Sequence, residues 1–255
     1  FEWYGDHRDL PSFPTRRSSD LSIIFLLSNL DRFNLSDFSE NVLLIEMNKN
    51  AKYSDRTAVF LSLSEYLRKT LDSMEVVSAE ESIAVKYNSL DIPSTKVKNL
   101  ILDKLKVFRY QEVSKEKSLL RIPVCYSKEF GLDIKDIASK HSLSNQEIAD
   151  LHSGTVYEVK MIGFTPGFAY LGDLAKELIM PRLLKPRINL LPGSVGISGN
   201  RTGVYTLGGP GGWRIIGRTP LKLFHPDKQN PFGISPDTQV QFTPISKQEY
   251  ESYTK

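Results

Sequence analysis

The chain has 255 residues, 40% of them hydrophobic and 25% charged, with a net charge of +3. These are the values of a globular chain that can bury one large core or two small ones, and they exclude a disordered or collagenous one. The basic excess is slight and forms no long run, which argues against nucleic acid as a partner. A single cysteine, Cys125, rules out an intrachain disulfide and points to a reducing compartment.

Residues 1–30 read as an extension outside the fold. Between Tyr4 and Leu21, Arg, Asp, Ser and Pro mix with no period of 2 or 3.6. That stretch resembles a translated sequencing adapter and is set aside as non-native or disordered. The apolar run at 21–27 is too short for a bilayer, which takes about 20 residues. No small-residue cleavage site follows Arg16 and Arg17. No membrane partner is expected, and the location read from the sequence is cytoplasmic.

Glycine placement divides the rest of the chain. None occurs between Gly5 and Gly131, whereas the stretch from Gly193 to Gly217 is crowded with them. The first part, 31–110, therefore reads as regular elements joined by polar turns. Residues 42–46 are an apolar strand. From Asp55, a candidate cap, to Leu71 the apolar residues Val59, Leu63, Leu67 and Leu71 recur at helical spacing. Strands follow at 75–78 and 82–87. Pro93 and Ser94 open a second helix, with Val97, Leu100, Ile101, Leu105 and Val107 as its apolar face. A strand near 108–110 completes a βαββαβ order, which is ferredoxin-like. The polar, charged run 111–117 is the linker.

The second part, 118–248, opens with a strand at 118–126. Two short helices follow at 134–141 and 144–152, the second with the capping-box pair Ser144 and Glu147. Residues 157–162 alternate as a strand. Short strands between Gly and Pro turns then fall at 194–198, 203–207, 213–217, 221–224 and 240–243, which means a barrel or sandwich. The fold class is α+β.

Three stretches carry candidate chemistry. In Gly163-Phe164-Thr165-Pro166-Gly167-Phe168-Ala169-Tyr170, aromatics flank a Pro-Gly turn, and Gly163 and Gly167 can turn backbone N–H groups toward an anion or carbonyl. The plainer reading is a structural turn with its aromatics in the core. Pro192-Gly193-Ser194 opens a second turn-rich stretch that fits neither a phosphate-binding loop nor a dinucleotide fingerprint. Its plainer reading is barrel wall. In Trp213-Arg214-Ile215-Ile216-Gly217-Arg218-Thr219, the arginines lie four apart. On a strand both would share one face, where two guanidiniums can hold a carboxylate or phosphate. The plainer reading is a solvated pair beside surface acids. No His-Glu-x-x-His, paired cysteine or Gly-x-Ser-x-Gly occurs, so neither a zinc site nor a nucleophile is legible, and no metal site is expected.

Together these stretches resemble the 5-oxoprolinase B-subunit family. It is also known as the allophanate hydrolase subunit 1 or sporulation-kinase inhibitor family, with carboxyltransferase subdomains C and D. The matching runs are 163–172, Pro181-Arg182 with Pro186-Arg187, 192–197, 210–220 and 122–126. The sequence departs from the family pattern at His225, where Asp is common, and at 206–209. The resemblance implies an α+β N-terminal domain and a cyclophilin-like β-barrel after it. It implies a protein, inactive alone, that pairs with the cyclophilin-like C subunit and with the A subunit of a 5-oxoprolinase. Together they open 5-oxo-L-proline to L-glutamate using ATP, with Mg, bound here or on a partner. Phosphorylating the lactam oxygen would make the ring carbon electrophilic, so anion-holding groups are expected. The candidates are Gly163, Phe164, Pro166, Gly167, Phe168, Tyr170, Pro192, Gly193, Ser194, Trp213, Arg214, Arg218 and Thr219. Two other activities fit the same family. One is a regulatory module that inhibits a sensor histidine kinase, docking a proline-containing loop against Phe164, Phe168 and Tyr170. The other is part of an allophanate-type amidohydrolase acting on a urea derivative.

Overall fold

The computed structural model describes residues 32–48, 56–110, 118–229, 231–236 and 238–253. The expected extension 1–30, the linker 111–117 and the cap Asp55 lie outside the described residues. What is described is a mixed α/β chain with a four-stranded sheet followed by a curled seven-stranded one.

The first sheet uses β1 (Phe33–Ser39), β2 (Val42–Met47), β3 (Glu75–Ser78) and β4 (Ser82–Lys86). Their order is β1-β2-β4-β3, and every pair is antiparallel. Alternation sends Leu43, Ile45, Ile83 and Val85 to one face, where each is fully buried. Helix α1 (Arg56–Thr70) lays Val59, Phe60, Leu63 and Leu67 on that face. Helix α2 (Ser94–Val107) adds Val97, Ile101 and Leu105. Leu100 and Val107, expected on its apolar face, are exposed.

The strand expected at 108–110 is not formed. Its place beside β2 is taken by β1, which sequence reading passed over. Strand β1 is an edge whose Asn34, Ser36, Asp37 and Ser39 hide its pattern. The element order is therefore ββαββα, with the outer strand supplied from the N-terminal side.

The second sheet uses β5 (Ser118–Val124), β6 (Val156–Ile162), β7 (Ala169–Gly172), β9 (Ser194–Ser198), β10 (Arg201–Tyr205), β12 (Arg214–Arg218) and β13 (Thr238–Pro244). Their order is β12-β9-β10-β7-β6-β13-β5. Only β5 and β13 run parallel. A separate two-stranded ribbon pairs β8 (Arg187–Leu190) with β11 (Gly209–Gly211). The strand expected at 221–224 is reduced to one bridge between Phe224 and Phe232.

The two edges of the seven-stranded sheet meet. Cys125, just past β5, exchanges two backbone bonds with Arg218 at the end of β12, at 2.9 and 3.1 Å. Gly217 makes this seam possible. A Cβ there would lie 2.8 Å from the Cys125 carbonyl oxygen and from Val124 Cγ1. One face of the sheet is covered by helices α3 (Ile134–His141) and α4 (Asn145–Ser153), which bury Ile134, Ile137, Ile148 and Ala149. The capping box of α4 forms as expected. Ser144 Oγ accepts the Glu147 amide at 3.1 Å, and Glu147 accepts the Ser144 amide at 2.7 Å. A last helix, α5 (Lys247–Tyr253), repeats that box with Ser246 and Glu249.

Beneath the helices lies a buried polar chain. Thr202 Oγ1 donates to the Gly196 carbonyl at 3.1 Å, so it accepts from His152 Nε2 at 2.8 Å. His152 Nδ1 is left as an acceptor for the Tyr126 hydroxyl at 2.7 Å. Burial holds His152 neutral, with its pKa down from 6.5 to about 3.

Candidate functional site

The motif stretches meet on the face of the second sheet opposite the helices. Phe168, Tyr205, Trp213, Ile215 and Leu190 pack there as one buried cluster, with Tyr170 against it. The rings stand edge to face: Phe168–Tyr170 at 4.9 Å, Phe168–Tyr205 at 5.3 Å and Phe168–Trp213 at 5.4 Å. Close approach is built in. A Cβ on Gly211 would sit 2.5 Å from the Tyr205 hydroxyl. For Phe168 the plainer reading holds, since it is buried rather than open to a cleft, and Trp213 is buried beside it.

The loop before β7 is wound tightly. Phe164 has φ 71° and Gly167 φ 77°. A left-handed Phe costs on the order of 1–2 kcal/mol. Its ring is 59% exposed and meets Phe168 and Tyr205 edge-on, at 5.6 and 6.2 Å. The Gly163 amide is not aimed at a ligand. It donates to the Phe168 carbonyl at 3.1 Å. The Gly167 amide has no partner among the described residues. Thr206 Oγ1 donates to the Pro166 carbonyl at 2.7 Å, so one departure from the family pattern holds this loop in place.

The second stretch is saturated from within. Gly193 (φ 84°) donates to the Tyr205 carbonyl and accepts from the Thr219 amide. Ser194 Oγ donates to the Leu191 carbonyl at 2.7 Å, and Thr219 Oγ1 accepts the Leu221 amide. Pro192 offers its carbonyl to Arg218 Nε at 2.9 Å. Here the barrel-wall reading accounts for every hydrogen bond.

The arginine pair is a correction. Arg214 and Arg218 do not share a face, because β12 carries a bulge at Ile216. Arg214 pairs with Ile197 on β9, but Arg218 pairs with Ser194, an odd position against an even one. Arg214 therefore points to the helix side, where it donates to Asp136 at 2.8 Å and lies 3.8 Å from Asp133. Arg218 stays on the side of Tyr205, its guanidinium 6.0 Å from the Tyr250 ring.

Asp133 was missed by sequence reading. It occupies the N-cap of α3 and is 3% exposed, but makes no capping bond. Its carboxylate accepts both Arg187 nitrogens at 2.8 Å and the Ile215 amide at 2.7 Å. An acid at a helix start reads as a cap, which conceals an ion pair with a distant arginine. A further bridge joins the two sheets: Arg201 donates to Glu80 in the β3–β4 turn, at 3.1 Å from Nε, and to Asp173. A separate cleft of about 360 Å³ opens at the seam between Cys125, Tyr126, Lys128, Gln146 and Lys247. Among the described residues, no group of three or more His, Cys, Asp or Glu side chains is placed to hold a metal ion.

The family described as carboxyltransferase domain, subdomain C and D, matches residues 33–234. The 5-oxoprolinase B subunit of Bacillus subtilis (strain 168) is 36% identical over 71% of this chain and 79% of its own length. The protein of the same name from Escherichia coli O157:H7 is 43% identical over 51% of this chain and 59% of its own. Among solved structures, TTHA0988 is 26% identical with a TM-score of 0.67, over 80% of this chain and 40% of that one. The Kluyveromyces lactis urea carboxylase, at 15% identity and a TM-score of 0.71, shares the fold over 86% of this chain and 22% of its own. The chain belongs to the 5-oxoprolinase B-subunit family, with carboxyltransferase subdomains C and D.

Proposed function

We propose that this chain is the B subunit of an ATP-dependent 5-oxoprolinase that opens the lactam of 5-oxo-L-proline to L-glutamate together with the A and C subunits. The observation that carries the reading is that the motif stretches 163–172 and 210–220 meet in one aromatic cluster, with 181–187 and 192–197 packed against Gly212 and Trp213. We also read the first sheet with its helices (31–110) as a ferredoxin-like domain with its outer strand exchanged. The curled sheet (118–248) we read as a cyclophilin-like barrel closed at the Cys125–Arg218 seam.

The described residues do not fit an Mg-nucleotide site. They bring no acid cluster together, and the Gly163, Gly193 and Gly199 amides are spent internally, Gly167 being the exception. We therefore assign nucleotide and metal to a partner protein. His152 is no acid or base for this chemistry, since it is buried, neutral and bonded at both nitrogens. This chain's contribution is to bind and orient.

A partner also suits the surface. Phe164, Leu184, Ile188, Leu191 and Leu207 are all exposed on or beside the ribbon that covers the aromatic cluster. No described helix is long and apolar enough to cross a membrane. The test is co-purification of the three proteins followed by phosphate release. The expected result is turnover that needs 5-oxoproline and all three chains. A complete trio that leaves 5-oxoproline intact overturns the reading.

A further inference from the structure

Between Glu177 and Asp227 the chain carries seven arginines and lysines and no acidic residue. That stretch is +7, so the rest of a chain with a net charge of +3 carries −4. Acids from outside the stretch neutralise three of the seven cations: Asp133 holds Arg187, Glu80 and Asp173 hold Arg201, and Asp136 holds Arg214. Arg218 spends its Nε on the Pro192 carbonyl and lies over the Tyr250 ring. Arg182, Lys185 and Lys222 are exposed and have no carboxylate partner among the described residues.

These cations border the exposed apolar side chains of the same stretch. Leu184, Ile188, Leu191 and Leu207 are exposed, and Phe164 joins them from the loop before β7. Backbone contacts fix their positions. The Leu183 amide donates to the Gly212 carbonyl at 2.7 Å, and the ribbon β8–β11 carries Ile188. A Cβ on Gly208 would lie 2.9 Å from the Pro192 nitrogen, so Leu207 stands beside Leu191. Thr206 holds the Pro166 carbonyl, and a Cβ on Gly167 would lie 3.2 Å from Phe224 Cβ. The Phe164 loop is thus packed between Leu207 and the segment that carries Lys222.

We propose that this surface docks a partner protein whose contact face sets carboxylates around an apolar centre. Charge decides between the occupants. A second copy of the chain, docked by the same face, would bring unpaired cations against unpaired cations. Nucleic acid would neutralise the cations, but its phosphates gain nothing from four exposed aliphatic side chains. A lipid surface takes its apolar groups from amphipathic helices, whereas these stand on a ribbon and turns held by backbone bonds. Groups already fixed in place suit a partner of fixed shape, because little freedom is lost on docking. Only the choice of the A and C subunits as candidates rests on the 5-oxoprolinase reading.

The test measures association of the chain with the A and C subunits, separately and together, at several salt concentrations. Lys185→Glu with Lys222→Glu should slow association about 10-fold at low salt, and the difference should shrink as salt rises. Leu184→Asp should weaken affinity about 10- to 100-fold, mainly through faster dissociation. Lys140→Glu makes the same kind of charge change on α3 and should change neither rate by more than about 2-fold. All four side chains are exposed, so unfolding midpoints should match the wild type and show that the variants fold.

If a subunit binds and the face variants bind it as well as the wild type does, the docking face is overturned, and turnover of 5-oxoproline by the trio decides the enzyme reading separately. If the trio leaves 5-oxoproline intact but the face variants still weaken the complex, the face stands and the substrate falls. If neither subunit binds, the proposal is overturned. It is equally overturned if the variants abolish self-association, binding of single-stranded DNA or binding to phosphatidylserine vesicles while leaving the subunit complexes unchanged.

Discussion

The two faces of the seven-stranded sheet treat polar groups in opposite ways. On the helix side the long-range polar contacts are paired, Asp133 with Arg187, His152 with Tyr126 and Thr202, Arg214 with Asp136, and only atoms such as Arg214 Nε are buried without a partner among the described residues. On the aromatic side Phe168, Tyr205, Trp213, Ile215 and Leu190 pack as an apolar cluster, with the Phe164 ring exposed beside it. Buried polar groups that are fully satisfied specify a structure. The same motifs feed both faces, so a motif match alone does not say which side a residue serves.

The sharpest way to break this contrast is to compare the paired arginines of one motif. Arg187→Met strands the nearly buried Asp133 carboxylate and is expected to cost about 3–5 kcal/mol, because it leaves an uncompensated buried charge. Denaturant unfolding measures it. A loss below about 1 kcal/mol would show that the helix face does not depend on this pair.

The next effect is read from pH. The pKa of His152 is about 3 in the fold and returns toward 6.5 on unfolding. Below 6.5 the unfolded chain takes up a proton that the folded chain refuses. The stability held above that pH should therefore decline, by up to about 1.4 kcal/mol per pH unit, as pH falls from 6.5 toward 3. His152→Gln should flatten that slope when unfolding is followed at several pH values. An unchanged slope would assign it to other groups.

A smaller effect is expected at the bridge between the sheets. Glu80→Gln removes one carboxylate from Arg201 and should cost about 1 kcal/mol or less, since Glu80 is partly exposed. The smallest is Arg182→Met, which should leave unfolding free energy within about 0.5 kcal/mol. A large loss of stability there would make Arg182 a structural arginine like Arg187 and dissolve the contrast.

Much of the fold was legible in the sequence where periodicity was strong. Leu43 and Ile45 gave strand β2, Val59, Leu63 and Leu67 gave α1, and Ser144 with Glu147 gave the start of α4. Strands β8 and β11 were not, because Arg-Ile-Asn-Leu is too short to show an alternation, Gly-Pro-Gly carries no strand preference, and the two are held by their mutual pairing. The aromatic cluster was half legible. Phe168, Tyr170 and Trp213 stand in recognisable motifs, but Tyr205 was hidden in a glycine-rich stretch. The arginine pair failed for one reason. A single bulge at Ile216 changes which side Arg218 faces, and a bulge leaves no mark in a run such as Arg-Ile-Ile-Gly-Arg.

The seam at Cys125 has a consequence for how the chain is made. Strand β5 is built early, but its only flanking partners among the described residues are β13, in parallel, and the end of β12. Until the ribosome has released both, Leu119, Leu120 and Ile122 sit on an unpaired edge. Pairing over so long a stretch of chain is slow. This half of the molecule is therefore expected to gain its order late and to need protection from aggregation while nascent, whereas the first sheet, assembled from neighbours in sequence, can form well before it.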